Sequence, residues 1–131
     1  MKLSTNKHTL LILSLAFSAC SHDMGLMRLE ERLSNYASAI RWGYFEQATD
    51  FQIEKLRAQA EQAPLKHIHI TGYNPTYRHE NKDTNTVKQT VEISYFLEQI
   101  GVVKTIIDHQ TWRFDEQKKE WFLDSPLPNF Q

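Results

Sequence analysis

The sequence predicts an α+β fold in which N-terminal helices pack on a curved, mainly antiparallel four-stranded sheet. Apolar residues recur at spacings of three and four in the first half of the chain and at every second position in the second half. Helices followed by a run of strands favour an α+β layer arrangement over a parallel doubly wound sheet. A length of 131 residues suits one domain with one core.

Three helical segments are predicted before the strands. Residues 24–40 place Leu29, Leu33 and Tyr36 on one face, which is typical of an amphipathic helix. Gly43 ends this helix because glycine readily takes a positive φ, and a short helix is expected over residues 44–51. Residues 52–62 are rich in helix-forming residues, and Pro64 ends the third helix.

Four strands are predicted after Pro64. Ile68 and Ile70 begin the first, residues 87–97 form the second, and Gly101 separates the second from the third. The polar stretches 79–85 and 115–119 are expected as turns, and residues 120–123 form the fourth strand. Trp112 and Trp121 fall in adjacent predicted strands, so both are expected in the core as a cross-strand pair.

The first 19 residues have the pattern of an export signal. Lys2 and Lys7 precede an apolar run, and small residues follow it. The ten residues 10–19 would cover about 15 Å as a helix, half of a hydrocarbon core of about 30 Å, so they are too short to span a bilayer.

The sequence Phe17-Ser-Ala-Cys20 resembles the lipobox of bacterial lipoproteins, although that family prefers Leu where this chain has Phe17. The resemblance implies cleavage before Cys20 and attachment of fatty acyl chains, such as palmitate, to its thiol. Ser21 after the cysteine implies retention at the outer membrane. Ordinary signal cleavage after Ser18 is the alternative, since Ala16 and Ser18 are both small.

The chain is therefore divided into a signal peptide over residues 1–19, a lipidated tether over 20–25 and a single domain over 26–131. The expected location is the periplasmic face of the outer membrane, with a lipid anchor. Lys+Arg 15 against Asp+Glu 16 excludes the basic footprint of a nucleic-acid binder. Loss of Lys2 and Lys7 with the signal leaves 13 basic against 16 acidic side chains.

The order of elements resembles the cone-shaped fold of nuclear transport factor 2-like, ketosteroid isomerase-like and cystatin-like domains. The resemblance rests on the helix-Gly-helix step of residues 39–48 and on strands that contain Trp112-Arg-Phe114 and Trp121-Phe-Leu123. The chain also resembles a group of small proteobacterial lipoproteins of unknown role that carry an Arg-Trp-Gly step and a terminal Leu-Pro-x-Phe, here Leu127 to Phe130.

His67 and His69 are the candidate metal ligands, because alternate residues of a strand share a face. A metal ion would need His79 or His109 as a further ligand, and the alternative is that all are polar residues on a solvated face. No metal and no cofactor is expected.

A ketosteroid isomerase-like enzyme needs a base in the cone and a donor to an oxyanion. Asp108 or His109 would supply the base. Tyr73, Tyr77 or Tyr95 would supply the donor. Because nothing in the sequence fixes these groups relative to each other, catalysis is the alternative prediction, and no catalytic residue is assigned.

The leading hypothesis is a non-catalytic binding or assembly module for an envelope partner, most simply another envelope protein. Trp42, Leu127 and Phe130 are the candidate partner-binding residues. Trp42 either fixes a helix end on the sheet or projects as an anchor, while the apolar tail is expected to pack along the domain. The sequence neither predicts nor excludes a homodimer.

Overall fold

The computed structural model describes residues 9–60 and 67–131, and the side chains of residues 25–60 and 67–131. Three helices pack on a four-stranded antiparallel sheet, which confirms the predicted α+β class. The strands follow one another in the order β1-β2-β3-β4, so the sheet is a meander. The elements are α1 Thr9–Arg41, α2 Phe45–Thr49, α3 Glu54–Gln59, β1 Ile68–Asn81, β2 Thr86–Leu97, β3 Val103–Asp115 and β4 Glu120–Leu123.

Helix α1 packs its predicted apolar stripe against the sheet, with Leu29, Tyr36 and Ile40 fully buried. The helix begins at Thr9, although the sequence predicted a start at Met24. No proline interrupts residues 9–24, and a single glycine in a helix interior, here Gly25, costs only about 1 kcal/mol, so the helix continues through it. Residues 20–25, predicted as a tether, therefore lie within α1.

The turn after α1 forms as predicted at Gly43. Its φ of 72° lies in the left-handed region, and its N–H donates to the carbonyl of Ile40 at 3.0 Å. The next N–H, of Tyr44, donates to the Ala39 carbonyl at 2.8 Å. Helices α2 and α3 are shorter than predicted, and the predicted end of the third helix at Pro64 lies outside the described residues.

Strand β1 is longer than predicted. Residues 79–81 pair with β2, although the sequence indicated a turn from His79. Most side chains of β1 are exposed, so this strand shows little apolar alternation and is formed by its ladder with β2. Two register shifts, between Ile70 and Gly72 and between Pro75 and Tyr77, interrupt that ladder. The fourth strand has the predicted bounds.

The core lies between the helices and the inner face of the sheet. Trp112 is fully buried, and its ring meets that of Tyr36 edge to face with centroids 5.4 Å apart. Phe51 from the α2–α3 connection packs on Tyr36 at 5.6 Å. Trp121 is also buried, which confirms that both tryptophans lie in the core. The predicted cross-strand pair is wrong, because Trp112 lies opposite Leu123 and Trp121 lies opposite Phe114.

The segment before Gly25 contains the predicted export signal and the predicted lipidation site, Cys20. Residues 1–8 lie outside the described residues, as does the side chain of Cys20. Within the described residues, no helix is both long enough and apolar enough to cross a membrane.

Candidate functional site

An open groove of about 660 Å³ lies between α1 and β1, and we call it the α1–β1 groove. Its lining residues come from α1 and Trp42, which follows it, from the edge strand β1 and, with Gln89, from β2. Its size is in the range of small-ligand sites, about 300–1,000 Å³. The residues that line it and matter below are Ser38, Arg41, Trp42, Tyr73, Arg78 and Gln89.

Trp42 stands at the end of the groove where α1 stops. Its side chain is 72% exposed, the same fraction as Met27 and more than any other large apolar residue in the described part of the chain. The Gly43 turn sets its direction, and the neighbouring Arg41 ties the helix end to β1 by donating from Nη2 to the Tyr73 carbonyl at 3.0 Å. Of the two roles predicted for Trp42, the projecting one matches this placement.

A chain of polar contacts leads from the groove surface into the core. Arg78 pairs with Glu30 of α1, and its Nε and Nη2 donate to Oε1 of Gln89 at 3.3 and 3.1 Å. Gln89 in turn donates to Oε1 of Gln110 at 3.2 Å. The amide of Gln89 is buried, and Arg78 is half-exposed at the groove.

Gln110 is the centre of this polar cluster. Its Nε2 donates to the hydroxyl of Tyr73 at 2.9 Å and to Oδ2 of Asp108 at 2.7 Å. Its Oε1 accepts from Gln89 and from the indole N–H of Trp112, the latter at 3.1 Å. Every hydrogen-bonding atom of this buried amide therefore has a partner, as a buried polar group requires.

The titratable members of the cluster are shifted by burial. Burial raises the pKa of Tyr73 to about 12, although the hydrogen bond from Gln110 lowers it. Burial also raises the pKa of Asp108 above its usual 3.8, against the hydrogen bond from Gln110 and the charge of His109. Both groups are therefore held in their neutral forms more strongly than in water.

Tyr36 adds a hydroxyl to the same region without a partner. Its oxygen is buried and makes no hydrogen bond to any described residue. Burial raises the pKa of Tyr36 well above 10, and the nearby charges of Asp108 and Tyr73 raise it further. The ring is held by Trp112 and Phe51, so packing rather than hydrogen bonding fixes this side chain.

The predicted catalytic groups are only partly brought together. Asp108 and Tyr73 share Gln110, but the carboxyl of Asp108 does not line the α1–β1 groove. His109 and Tyr77 lie in register with Thr90 on the outer face of the sheet, away from the helices. The Tyr95 hydroxyl donates to the carbonyl of Gln131 in the C-terminal tail at 2.8 Å, so its proton is already engaged there.

The predicted metal ligands lie at the first edge of the outer face. Nδ1 of His67 is 3.1 Å and Nε2 of His69 is 3.9 Å from the same carboxylate oxygen of Glu98. The His69 ring also stacks on Phe96 with centroids 4.8 Å apart. Among residues 25–60 and 67–131, no three histidine, cysteine or acidic side chains are arranged to hold a metal ion.

The C-terminal tail packs along the domain, as predicted. Phe130 is 8% exposed and contacts Phe45 and Tyr95, with ring centroids 5.4 and 5.0 Å away. Leu127 packs partly buried against the same core. The structure therefore separates the three candidate partner-binding residues: Trp42 projects into solvent, whereas the tail residues face the domain.

The sequence did not identify Gln89 and Gln110 as members of a site. Both occupy inward positions of strands whose other inward residues include Val87, Val91 and Trp112. A glutamine at a position where the alternation calls for an apolar side chain is the signal that identifies them.

Comparison of the chain with protein-family models, with curated proteins and with solved structures yields no match.

Proposed function

We propose that this chain is a non-catalytic binding module that a lipid on Cys20 holds at the periplasmic face of the outer membrane. The address is supported by the sequence: an apolar run of signal length, small residues before the cysteine, and the only cysteine of the chain at the position that carries the lipid. Several acyl chains together give stable anchoring, which leaves the domain free to bind a partner in the envelope.

The observation that carries the binding role is the exposure of Trp42. An indole that is 72% exposed leaves a large apolar surface in water, and the Arg41–Tyr73 bond holds the helix end that bears it. Tryptophan is among the residue types most enriched at the few positions that dominate the free energy of binding. Trp42 therefore marks the surface at which the partner binds.

The anchor is tested by intact mass and membrane partition of the native protein. We expect a mature chain that begins at Cys20, carries acyl chains and partitions into the membrane fraction. Cys20→Ser should release the protein to the soluble periplasmic fraction. A native protein that is not acylated and leaves the cell on osmotic shock would overturn the proposed address.

The surface is tested by photocrosslinking in living cells. A photoreactive amino acid at position 42 should yield an adduct with an envelope component, and the same group at position 77 serves as the control. Tyr77 is 59% exposed but lies on the outer face of the sheet. Equal adducts at both positions, or none at position 42, would contradict a binding role for Trp42.

The second candidate is a small-molecule binder or enzyme of the ketosteroid isomerase-like type. The observation that favours it is the buried cluster of Tyr73, Gln110 and Asp108 beneath the α1–β1 groove. The helices on a four-stranded antiparallel sheet are compatible with such a cone-like domain. Isomerisation of a β,γ-unsaturated ketosteroid, followed by enone absorbance and abolished by Asp108→Asn, would support the enzyme. Absence of turnover would remove the enzyme, and absence of steroid binding would remove the binder as well.

A further inference from the structure

The composition of the α1–β1 groove differs from that of a protein interface. The centre of a protein interface is apolar and depleted in charged residues. This groove instead presents hydroxyl, amide and charged groups along both walls, interspersed with apolar side chains such as Leu33, Ile70 and Pro75. The polar residues that line it include Ser34, Ser38, Thr71, Arg78 and Gln89. A ligand that fills it must therefore bring many hydrogen-bonding groups of its own.

The two arginines of the groove are used differently. The guanidinium of Arg78 is engaged by Glu30 and Gln89. Arg41 donates from one nitrogen to the Tyr73 carbonyl, and it forms no ion pair within the described residues. A guanidinium has five N–H donors, so Arg41 keeps donors for a carboxylate of the ligand. Glu30 also lines the groove, but it is paired with Arg78, so the charge left for a ligand is that of Arg41 and the groove favours a ligand that carries negative charge.

Trp42 supplies the most exposed apolar surface of the groove. The face of an indole is the negative side of its quadrupole, so it attracts the weakly positive C–H groups on one face of a sugar ring. An aromatic plate next to a row of hydroxyl, amide and guanidinium groups matches a sugar, which has an apolar face and a polar rim. The groove volume of about 660 Å³ accommodates a short oligosaccharide segment.

We propose that the α1–β1 groove binds a glycan that carries carboxylate groups, with one sugar ring on Trp42 and a carboxylate on Arg41. This inference rests on the proposed function, because it names the chemical class of the envelope partner that Trp42 contacts. Rigidity supports it: the Gly43 turn and the Arg41–Tyr73 bond fix the helix end before the ligand arrives, which lowers the entropic cost of binding.

The test measures retention of the full mature chain on three probes: purified cell-wall sacculi, polygalacturonate as an acidic glycan without peptide, and chitin as a neutral glycan. We expect binding to sacculi and to polygalacturonate, with at least tenfold weaker binding to chitin. Binding to sacculi alone would assign recognition to the peptide part and would overturn the glycan proposal.

Variants separate the two side chains. Trp42→Ala should weaken binding to both acidic probes at least tenfold, Trp42→Phe should restore part of it, and the matched control Tyr77→Ala should leave it unchanged. Arg41→Gln should remove the preference for acidic over neutral glycan. Because both positions are exposed, circular dichroism is expected to remain that of the parent protein.

The outcomes also distinguish this inference from the proposed function. No retention of the parent protein on any glycan, together with a protein adduct at position 42 in cells, overturns the glycan assignment and leaves the binding module intact. No retention and no adduct at position 42 overturn both. Equal retention of the parent protein and Trp42→Ala overturns the groove as the site.

Discussion

Between Trp112 and Asp108 of β3, the inner face of the sheet changes from an apolar end at Trp112 to a polar end at Asp108, and beyond Asp108 it is apolar again at Ile93 of β2. At the apolar end, aromatic rings from α1 and the α2–α3 connection fill the space around Trp112. At the polar end, each donor of Gln110 meets an acceptor contributed by β1 or β3. Apolar packing can be formed by many combinations of apolar side chains, whereas a buried polar cluster is stable only if each donor meets an acceptor.

Removal of the indole at the apolar end should have the largest effect. Trp112→Ala leaves a cavity beneath Tyr36 and removes a donor from Gln110, so we expect a loss of about 3–5 kcal/mol in the free energy of unfolding. Urea denaturation followed by circular dichroism measures it. A loss below about 1 kcal/mol would mean that Trp112 does not hold the core together.

This contrast also explains what the sequence could predict. The helix period of Leu29, Leu33 and Tyr36 and the turn at Gly43 report burial directly, so the α+β class and the core tryptophans followed from spacing alone. The buried amides of Gln89 and Gln110 did not, because their stability depends on partners in other strands. The spacing of residues within one strand does not show which residues of the neighbouring strands lie opposite them.

The same reason applies to the long first strand and to the residues that the tail contacts. Residues 79–81 pair with β2 although their side chains are polar, because backbone hydrogen bonds rather than apolar burial hold them there. The sequence predicted that the tail packs along the domain, but not that Phe130 packs on Tyr95, 35 positions earlier, because such a contact has no local signal. For Trp42, by contrast, the sequence predicted two alternatives, and the exposed side chain in the structure matches the projecting one.

The tail should be the second most sensitive element. Phe130→Ala removes a buried ring from Phe45 and Tyr95, and because a chain end relaxes more easily than a core we expect a loss of about 2–3 kcal/mol. The control is Trp42→Ala, which should change stability by less than about 0.5 kcal/mol because its ring is exposed. Thermal unfolding of both variants compares them. Equal losses would contradict the separation of tail and projecting tryptophan.

Two tyrosines test the boundary between the apolar and polar ends, with effects of opposite sign. Tyr73→Phe removes the hydroxyl that accepts from Gln110, so the protein should lose about 1 kcal/mol. Tyr36→Phe removes a buried hydroxyl that has no partner among the described residues, so the protein should gain about 1 kcal/mol. The midpoints of urea denaturation at neutral pH measure both changes in stability. A loss for Tyr36→Phe would mean that this hydroxyl is satisfied in solution.

The smallest expected effect is a change in pH dependence at Asp108. Burial raises its folded-state pKa above the usual 3.8, so the folded chain holds this proton more tightly than the unfolded chain does. The stability from this group is complete below the unfolded pKa and is lost as pH rises through the folded pKa. Asp108→Asn is neutral throughout, so the stability of the parent minus that of the variant should fall with rising pH above 3.8 and then level off. The lowered pKa values of Glu98 and Asp115 act in the opposite direction but are common to both proteins and cancel. A difference that is flat with pH, or that rises, would show that the carboxyl at the polar end is hydrated rather than buried.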